Sequence, residues 1–249
     1  MKVFVIIPAA GLGTRMASPA KSKEKTPSKQ FKELDGVPIL VHTLKKFAAV
    51  EAIHEIVVAL RADEIDGFRT QIEKQYPEIL SKPLRFVEGG EHRQDSVANA
   101  LAGIVADSDD IVLVHDAVRP FVTGEIIALV VDAAEQHGAA IAGWPAVDTV
   151  KQVERTADGA LIKTTIPRAS IVMAQTPQGF RYAMLKKAFD DAASDGFLGT
   201  DEASLIERAG LPVVVVMGSA HNIKITTPAD MELAEFYLRS YRHSDGNKS

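Results

Sequence analysis

The segment Pro8-Ala9-Ala10-Gly11-Leu12-Gly13-Thr14-Arg15-Met16 follows an apolar run near the start of the chain. Glycines after a strand let backbone N–H groups approach phosphate oxygens with no Cβ in the way. Several readings compete. A dinucleotide fold wants a third glycine where Met16 stands, and a helix directly after it. It also wants an acidic residue at the end of the next strand, and Glu33 and Asp35 fall near the right distance but in a turn. A Walker A loop needs Gly-Lys-Ser/Thr, which the segment lacks. A nucleotidyltransferase loop needs cations to grip a triphosphate, a task open to Arg15 and Lys29. A plain strand-to-loop turn is the remaining reading. Arg15, Lys21, Lys23, Lys25, Lys29 and Lys32 crowd one segment of a chain whose net charge is −5. A solvated loop would explain them. Their position at the carboxyl end of a first strand, where open α/β sheets bind ligands, favours an anion site.

Asp116 is the second candidate. It ends the apolar run Val112-Leu113-Val114-His115 and is followed by Ala117-Val118-Arg119-Pro120. A carboxylate at a strand end can hold Mg²⁺, which takes few protein oxygens and keeps phosphate oxygens and waters as its other ligands. An ion pair with Arg119, or a helix cap, is the competing explanation. Beside the glycine turn, the metal is the preferred one. His115 should point to the opposite face by strand alternation and serve the structure. No other histidine spacing suggests a metal site.

The elements that must position these groups follow from periodicity. Strands are predicted at 3–8, 56–60, 84–87, 111–115, 139–144 and 213–216. Helices are predicted at 39–47 (opened by Pro38), 64–76, 95–105, 124–137, 182–193, 201–209 and 229–242. Strand–helix alternation implies an α/β fold: a single Rossmann-like, doubly wound, mostly parallel sheet with helices on both faces. The rhythm breaks at 149–154 and 161–166, which flank the turn Ala157-Asp158-Gly159 and read as a projecting β-hairpin. Its residues Val150, Val153, Leu161 and Ile166 are apolar, and an arm leaving the domain could not bury them alone. A homodimer built on the arm, 149–171, is therefore expected. One domain spans 1–243, and 244–249 reads as a disordered tail.

The totals narrow the function. A chain of 249 residues with 46% hydrophobic residues can build one large core. The acidic balance gives nucleic acid no obvious attraction. There is no cysteine, which excludes disulfides and thiol nucleophiles. The apolar start is too short to span a membrane, and a cytoplasmic protein is expected.

Taken together, these motifs resemble the 2-C-methyl-D-erythritol 4-phosphate cytidylyltransferase family over nearly the whole chain. The resemblance rests on Pro8-Ala9-Ala10-Gly11-x-Gly13-x-Arg15-Met16, Lys29-Gln30-Phe31, Gly89-Gly90-x-x-Arg93-x-x-Ser96 and His115-Asp116-Ala117-x-Arg119-Pro120. It continues through Asp148-Thr149-x-Lys151, Gln175-Thr176-Pro177-Gln178, Thr200-Asp201-Glu202-Ala203-Ser204 and Asn222-Ile223-Lys224-x-Thr226-x-Pro228-x-Asp230. The family usually has Pro-Lys-Gln soon after Arg-Met. Here Pro27-Ser28-Lys29-Gln30 follows a longer loop, and Glu91 stands where aspartate is common.

The resemblance implies transfer of CMP from CTP to a polyol phosphate, with Mg²⁺ as cofactor. It implies that Ala9, Ala10, Gly11 and Gly13 cradle the nucleotide, that Arg15 and Lys29 stabilise the pentavalent phosphorus, and that Gly89, Gly90 and Ser96 read the cytosine. Asp116 would hold the metal. Arg119, Thr149, Arg168, Thr176, Thr200 and Lys224 would surround the acceptor, with Thr149, Arg168 and Thr176 serving the partner's site across a swapped homodimer. Thr200 is expected to open its helix. The ribitol-5-phosphate cytidylyltransferases share several of these motifs and are the nearest rival. A nicotinamide-dependent dehydrogenase and a non-catalytic nucleotide-binding module are rivals of other classes.

Overall fold

The computed structural model describes residues 1–11 and 28–246. Gly13, Arg15, Lys21, Lys23 and Lys25 therefore lie outside the described residues.

The chain opens with β1 (Val3–Pro8) and continues through a short ribbon, β2 (Glu33–Leu34) and β3 (Val37–Pro38). Asp35 and Gly36 turn that ribbon with φ of 55° and 72°. Then come α1 (Ile39–Ala48), β4 (Ile53–Leu60), α2 (Ala62–Gln75), β5 (Leu84–Glu88), α3 (Arg93–Ala102), β6 (Ile111–Val114), α4 (Gly124–His137) and β7 (Ala139–Pro145). The arm is β8 (Val150–Thr156) with β9 (Gly159–Ile166). The chain closes with β10 (Val172–Arg181), α5 (Tyr182–Ser194), α6 (Glu202–Arg208), β11 (Val214–Met217) and α7 (Pro228–Gly246). The last helix runs past the predicted end, so 244–246, expected in a disordered tail, are helical; 247–249 lie outside the described residues.

The main sheet has seven strands in the order β11-β7-β10-β6-β1-β4-β5. Strands β6, β1, β4 and β5 run parallel. On β1 both faces are buried, which is why its sequence is apolar throughout rather than alternating. Val3, Val5 and Ile7 pack among side chains of α1, α2 and α4, whereas Phe4 and Ile6 pack among those of α3, α5 and α6. Two core layers on one sheet are the doubly wound arrangement expected. A smaller third cluster seats α7 through Ala234, with Leu34, Ile39, Val118, Phe121 and Ile225.

Strand β10 corrects the sequence reading, which placed no strand there. It lies in the middle of the sheet, antiparallel to both β6 and β7. Its register against β7 shifts between Ala174 and Gln178, so Gln175-Thr176-Pro177 form a bulge. Proline disrupts a central strand's hydrogen-bond ladder and survives at bulges. Strands β7 and β10 are thus a hairpin whose connection has grown into the arm. Since β7 runs in the same sense as β6, the arm leaves from the carboxyl edge of the sheet. The arm forms its own two-stranded sheet, and most of its residues are exposed, Leu161 and Ile162 at 64% each. No helix among the described residues is long and apolar enough to cross a membrane.

Candidate nucleotide site

Strand β1 sits where the strand order reverses, with β4 on one side and β6 on the other. Crevices outside the carboxyl ends of the strands at such points are the ligand sites of open α/β sheets. The cleft here is lined by Ala9, Ala10 and Gly11 after β1, by Lys29 and Gln30, by Gly90, Arg93 and Ser96 after β5, and by Asp116 and Lys224.

Two loops are stitched to β4: the amide of Ala9 donates to Ala59 O at 2.8 Å and that of Gly89 to Leu60 O at 2.7 Å. A Cβ on Gly89 would lie 2.4 Å from the Ala10 Cβ, and one on Gly90 2.2 Å from the Asp95 Cβ. Packing alone therefore demands both glycines. The Ser96 hydroxyl accepts from Gly90 N at 3.1 Å and donates to His92 O at 3.2 Å, which folds the turn onto α3. Gly11 differs: among the described residues, nothing stands within 4 Å of its missing Cβ. Among the described residues its backbone is open to approach, as a phosphate-binding turn requires.

Asp116 is the electrostatic centre. Its Oδ2 pairs with Lys224 Nζ at 2.9 Å and Arg119 Nε at 3.2 Å, and its Oδ1 lies 3.4 Å from Arg93 Nε. Burial would raise the carboxyl, but Arg93, Lys224 and Arg119 hold it well below the usual carboxylate range. Arg93 Nη1 also donates to both Glu202 oxygens, at 2.7 and 2.8 Å. Three cations against two carboxylates leave this cluster at a formal +1 before Lys29 is added, a balance suited to a polyanion. The Asp116–Arg119 ion pair weighed from the sequence is thus present, but as one part of a larger group.

A metal would find few protein ligands. Among the described residues, no cluster of three or more His, Asp or Glu could hold one. Asp116 Oδ1, with a single 3.4 Å ionic contact, could still take a cation. That donor set fits Mg²⁺ if phosphate oxygens and waters complete the shell, and fits poorly an ion that needs several side chains.

Beneath Asp116 runs a buried hydrogen-bond circuit. The Asp116 amide donates to Thr176 Oγ1 at 3.0 Å. That hydroxyl lies 3.1 Å from His115 Nδ1, and His115 Nε2 lies 3.1 Å from Arg119 O. A carbonyl can only accept, so Nε2 carries the proton and Thr176 donates to Nδ1. Burial lowers His115 to about 4, so the ring is neutral near pH 7. It packs edge-on against Phe47 at 4.8 Å, the structural role expected of it. Asn222 Nδ2 donates to Thr176 O at 2.9 Å and Arg119 Nη1 to Asn222 O at 2.7 Å; Ile225 N then donates to Val118 O at 2.9 Å. These bonds fix the segment that carries Lys224.

Of the residues singled out from the sequence, the structure gathers Ala9, Ala10, Gly11, Lys29, Gly90, Ser96, Asp116 and Lys224 at one cleft, with Gly89 and Arg119 packed behind. Thr176 stands in this chain's own site, under Asp116, rather than on the arm. Thr149 and Arg168 lie at the base of the arm, exposed, and line no part of this chain's cleft. Thr200 precedes the helix cap: Asp201 caps α6 by accepting from Ser204 N at 3.0 Å. The sequence reading gave no role to Glu202 or Gln30. The signal for Glu202 was a carboxylate on the inward side of a short helix; for Gln30, an amide between Lys29 and Phe31.

A phosphate-type turn at the switch point, cations converging on one carboxylate, and, among the described lining residues, a single hydroxyl spent on backbone groups define a nucleotidyltransferase type of site. The family model described as 2-C-methyl-D-erythritol 4-phosphate cytidylyltransferase matches residues 3–240, and the chain belongs to that family. A protein of that name from Acidobacterium capsulatum is 56% identical over 239 residues, covering 96% of this chain and 98% of its own. One from Solibacter usitatus is 51% identical, covering 96% of each. The crystal structure of the Francisella tularensis enzyme of that name superposes with a TM-score of 0.75 at 36% identity, over 95% of this chain and 99% of its own. That from Thermus thermophilus gives 0.73 at 33% identity, over 96% and 100%.

Proposed function

We propose that this chain transfers CMP from CTP to 2-C-methyl-D-erythritol 4-phosphate in isoprenoid biosynthesis. An acceptor phosphate oxygen bonds to the α-phosphorus, the bond from that phosphorus to the bridging oxygen breaks, and pyrophosphate leaves. The observation that carries the reading is the family match across 3–240, joined to a cationic cleft at the switch point. The nucleophile is already ionised, so the protein's task is to hold two polyanions in line and neutralise the charge that builds up. Ala9, Ala10, Gly11 and Gly13 receive the triphosphate, with Arg15 and Lys29 as its cations. Gly89, Gly90 and Ser96 form the base wall. Arg119, Thr200 and Lys224 serve the acceptor. Asp116 would hold Mg²⁺, which would supply neutralisation of phosphate charge. The cytoplasm is the proposed setting.

The test is kcat/KM for 2-C-methyl-D-erythritol 4-phosphate and D-ribitol 5-phosphate at saturating CTP, read as pyrophosphate. We expect a clear preference for the former, because the ribitol chain is longer and shifts the phosphate relative to the line of attack, and small displacements are costly in positioned reactions. Equal values, or a preference for ribitol, would overturn the choice of acceptor.

The proposal includes a homodimer in which Thr149 and Arg168 reach the partner's cleft. Support comes from the exposed apolar surface of the arm and its root: Val153, Leu161, Ile162, Val172 and Met173. Sedimentation is expected to give a dimer at micromolar concentration. A fully active monomer would remove the arm from the reaction.

A further inference from the structure

Glu202 is fully buried, burial pushes its carboxyl up while Arg93 draws it back down, and nothing in the proposed reaction uses it directly. It sits in the first turn of α6, far from the cleft in sequence, and both of its oxygens are taken by one nitrogen of Arg93. Arg93 is the first residue of α3, with two residues between it and the Gly89-Gly90 turn, and lines the cleft. Its Nε faces Asp116 Oδ1. One guanidinium thus joins the base-wall turn, the end of β6 and α6. Gln178 secures the far end: its Nε2 donates to Asp201 Oδ2 at 2.7 Å and its Oε1 accepts from Ala203 N at 3.1 Å.

We infer that Glu202 and Arg93 form a positioning couple, in which Glu202 fixes the guanidinium and the guanidinium fixes the Asp116 carboxylate and the Gly89-Gly90 turn in one relative placement. This rests on the proposed reaction for its meaning but not for its test. Without an anchor the Arg93 head would swing among rotamers, and its planar fork, which can serve two carboxylates at once, would lose that use. A buried ion pair contributes little net stability compared with a well-packed apolar pair, so stability alone is a weak reason for its presence. A group that orients a ligand-bearing carboxylate changes affinity by roughly 10–100-fold when removed.

The experiment compares wild type with Glu202→Gln and with the apolar double variant Arg93→Met/Glu202→Leu. Binding of CTP in Mg²⁺ is measured by calorimetry without acceptor, and melting temperature is measured alongside. We expect Glu202→Gln to weaken CTP binding at least roughly 10-fold and to melt lower. We expect the double variant to regain most of the melting temperature while its CTP binding stays weak. Recovery of binding together with melting temperature in the double variant would overturn the inference, leaving only a structural ion pair. Wild-type binding by Glu202→Gln would do the same. If Glu202→Gln does not fold, the double variant decides alone. Failure of the proposed reaction would appear separately, as wild type that binds CTP but releases no pyrophosphate with the acceptor.

Discussion

Asp116→Asn is expected to lower turnover by at least about 10²-fold, the scale on which removing one well-placed electrostatic group acts. Asparagine preserves shape and one acceptor oxygen but removes the charge. The side chain has three cationic neighbours, Lys224 at 2.9 Å, Arg119 at 3.2 Å and Arg93 at 3.4 Å. Without the carboxylate they repel one another, and the amide oxygen left at this position carries no full charge to hold a divalent ion. The variant should also lose stability, though less than the roughly 3–5 kcal/mol of a broken, fully buried pair, because Lys224 is 37% exposed. The pH dependence gives a second check. The folded carboxyl is held well below its unfolded value of about 3.9. Its stabilising contribution is therefore complete above roughly pH 4 and is lost as pH falls through the lower folded value. The gap in denaturation free energy between wild type and Asp116→Asn should narrow below that pH. Near-normal Mg²⁺-dependent activity in a folded Asp116→Asn protein would exclude Asp116 as the metal's ligand.

The parts of this site that were legible in the sequence are those set by local pattern. The apolar run of β1 and its glycine turn, the strand ending at Asp116, and the arm with its Ala157-Asp158-Gly159 turn all follow from periodicity and turn chemistry. In the structure Gly159 takes φ 142°, in the range that favours glycine. Strand β10 was hidden because Gln175-Thr176-Pro177-Gln178 is polar and holds a proline, the opposite of a central strand's signature. Only the bulge reconciles the two, and the same bulge brings Thr176 to the Asp116 amide. The Glu202–Arg93 pair was hidden for a different reason. Its members are 109 residues apart, and one sequence does not say which carboxylate meets which guanidinium. His115 was read as structural from strand alternation alone, whereas its tautomer needed the carbonyl of Arg119.

Lys29→Ala is expected to lower kcat by at least about 10²-fold while Lys21→Ala, Lys23→Ala and Lys25→Ala have small effects. The reasoning starts with the neighbours of Lys29. Gln30 is buried and its Nε2 donates to Ala9 O at 2.5 Å, inside the turn after β1. Phe31 stacks edge-on against Phe68 at 5.3 Å, and Ser28 Oγ donates to Glu64 at 3.1 Å. The backbone closes a tight turn, Phe31 N to Ser28 O at 2.9 Å. Lys29 is therefore the residue between fixed points, and it lines the cleft beside Ala9 and Gly11. A cation held in place before the reaction stabilises developing charge without reorganising, which lowers the barrier more than it strengthens substrate binding. For that reason kcat should fall more than the affinity for CTP. Lys29→Arg keeps the charge on a bulkier planar head and is expected to restore CTP affinity but only part of kcat. The decisive measurement is steady-state kinetics on the four alanine variants together with CTP binding. If Lys25→Ala proves inactive while Lys29→Ala turns over normally, the catalytic lysine belongs to the inserted loop, and the turn at Lys29-Gln30-Phe31 serves only to anchor that loop to the sheet.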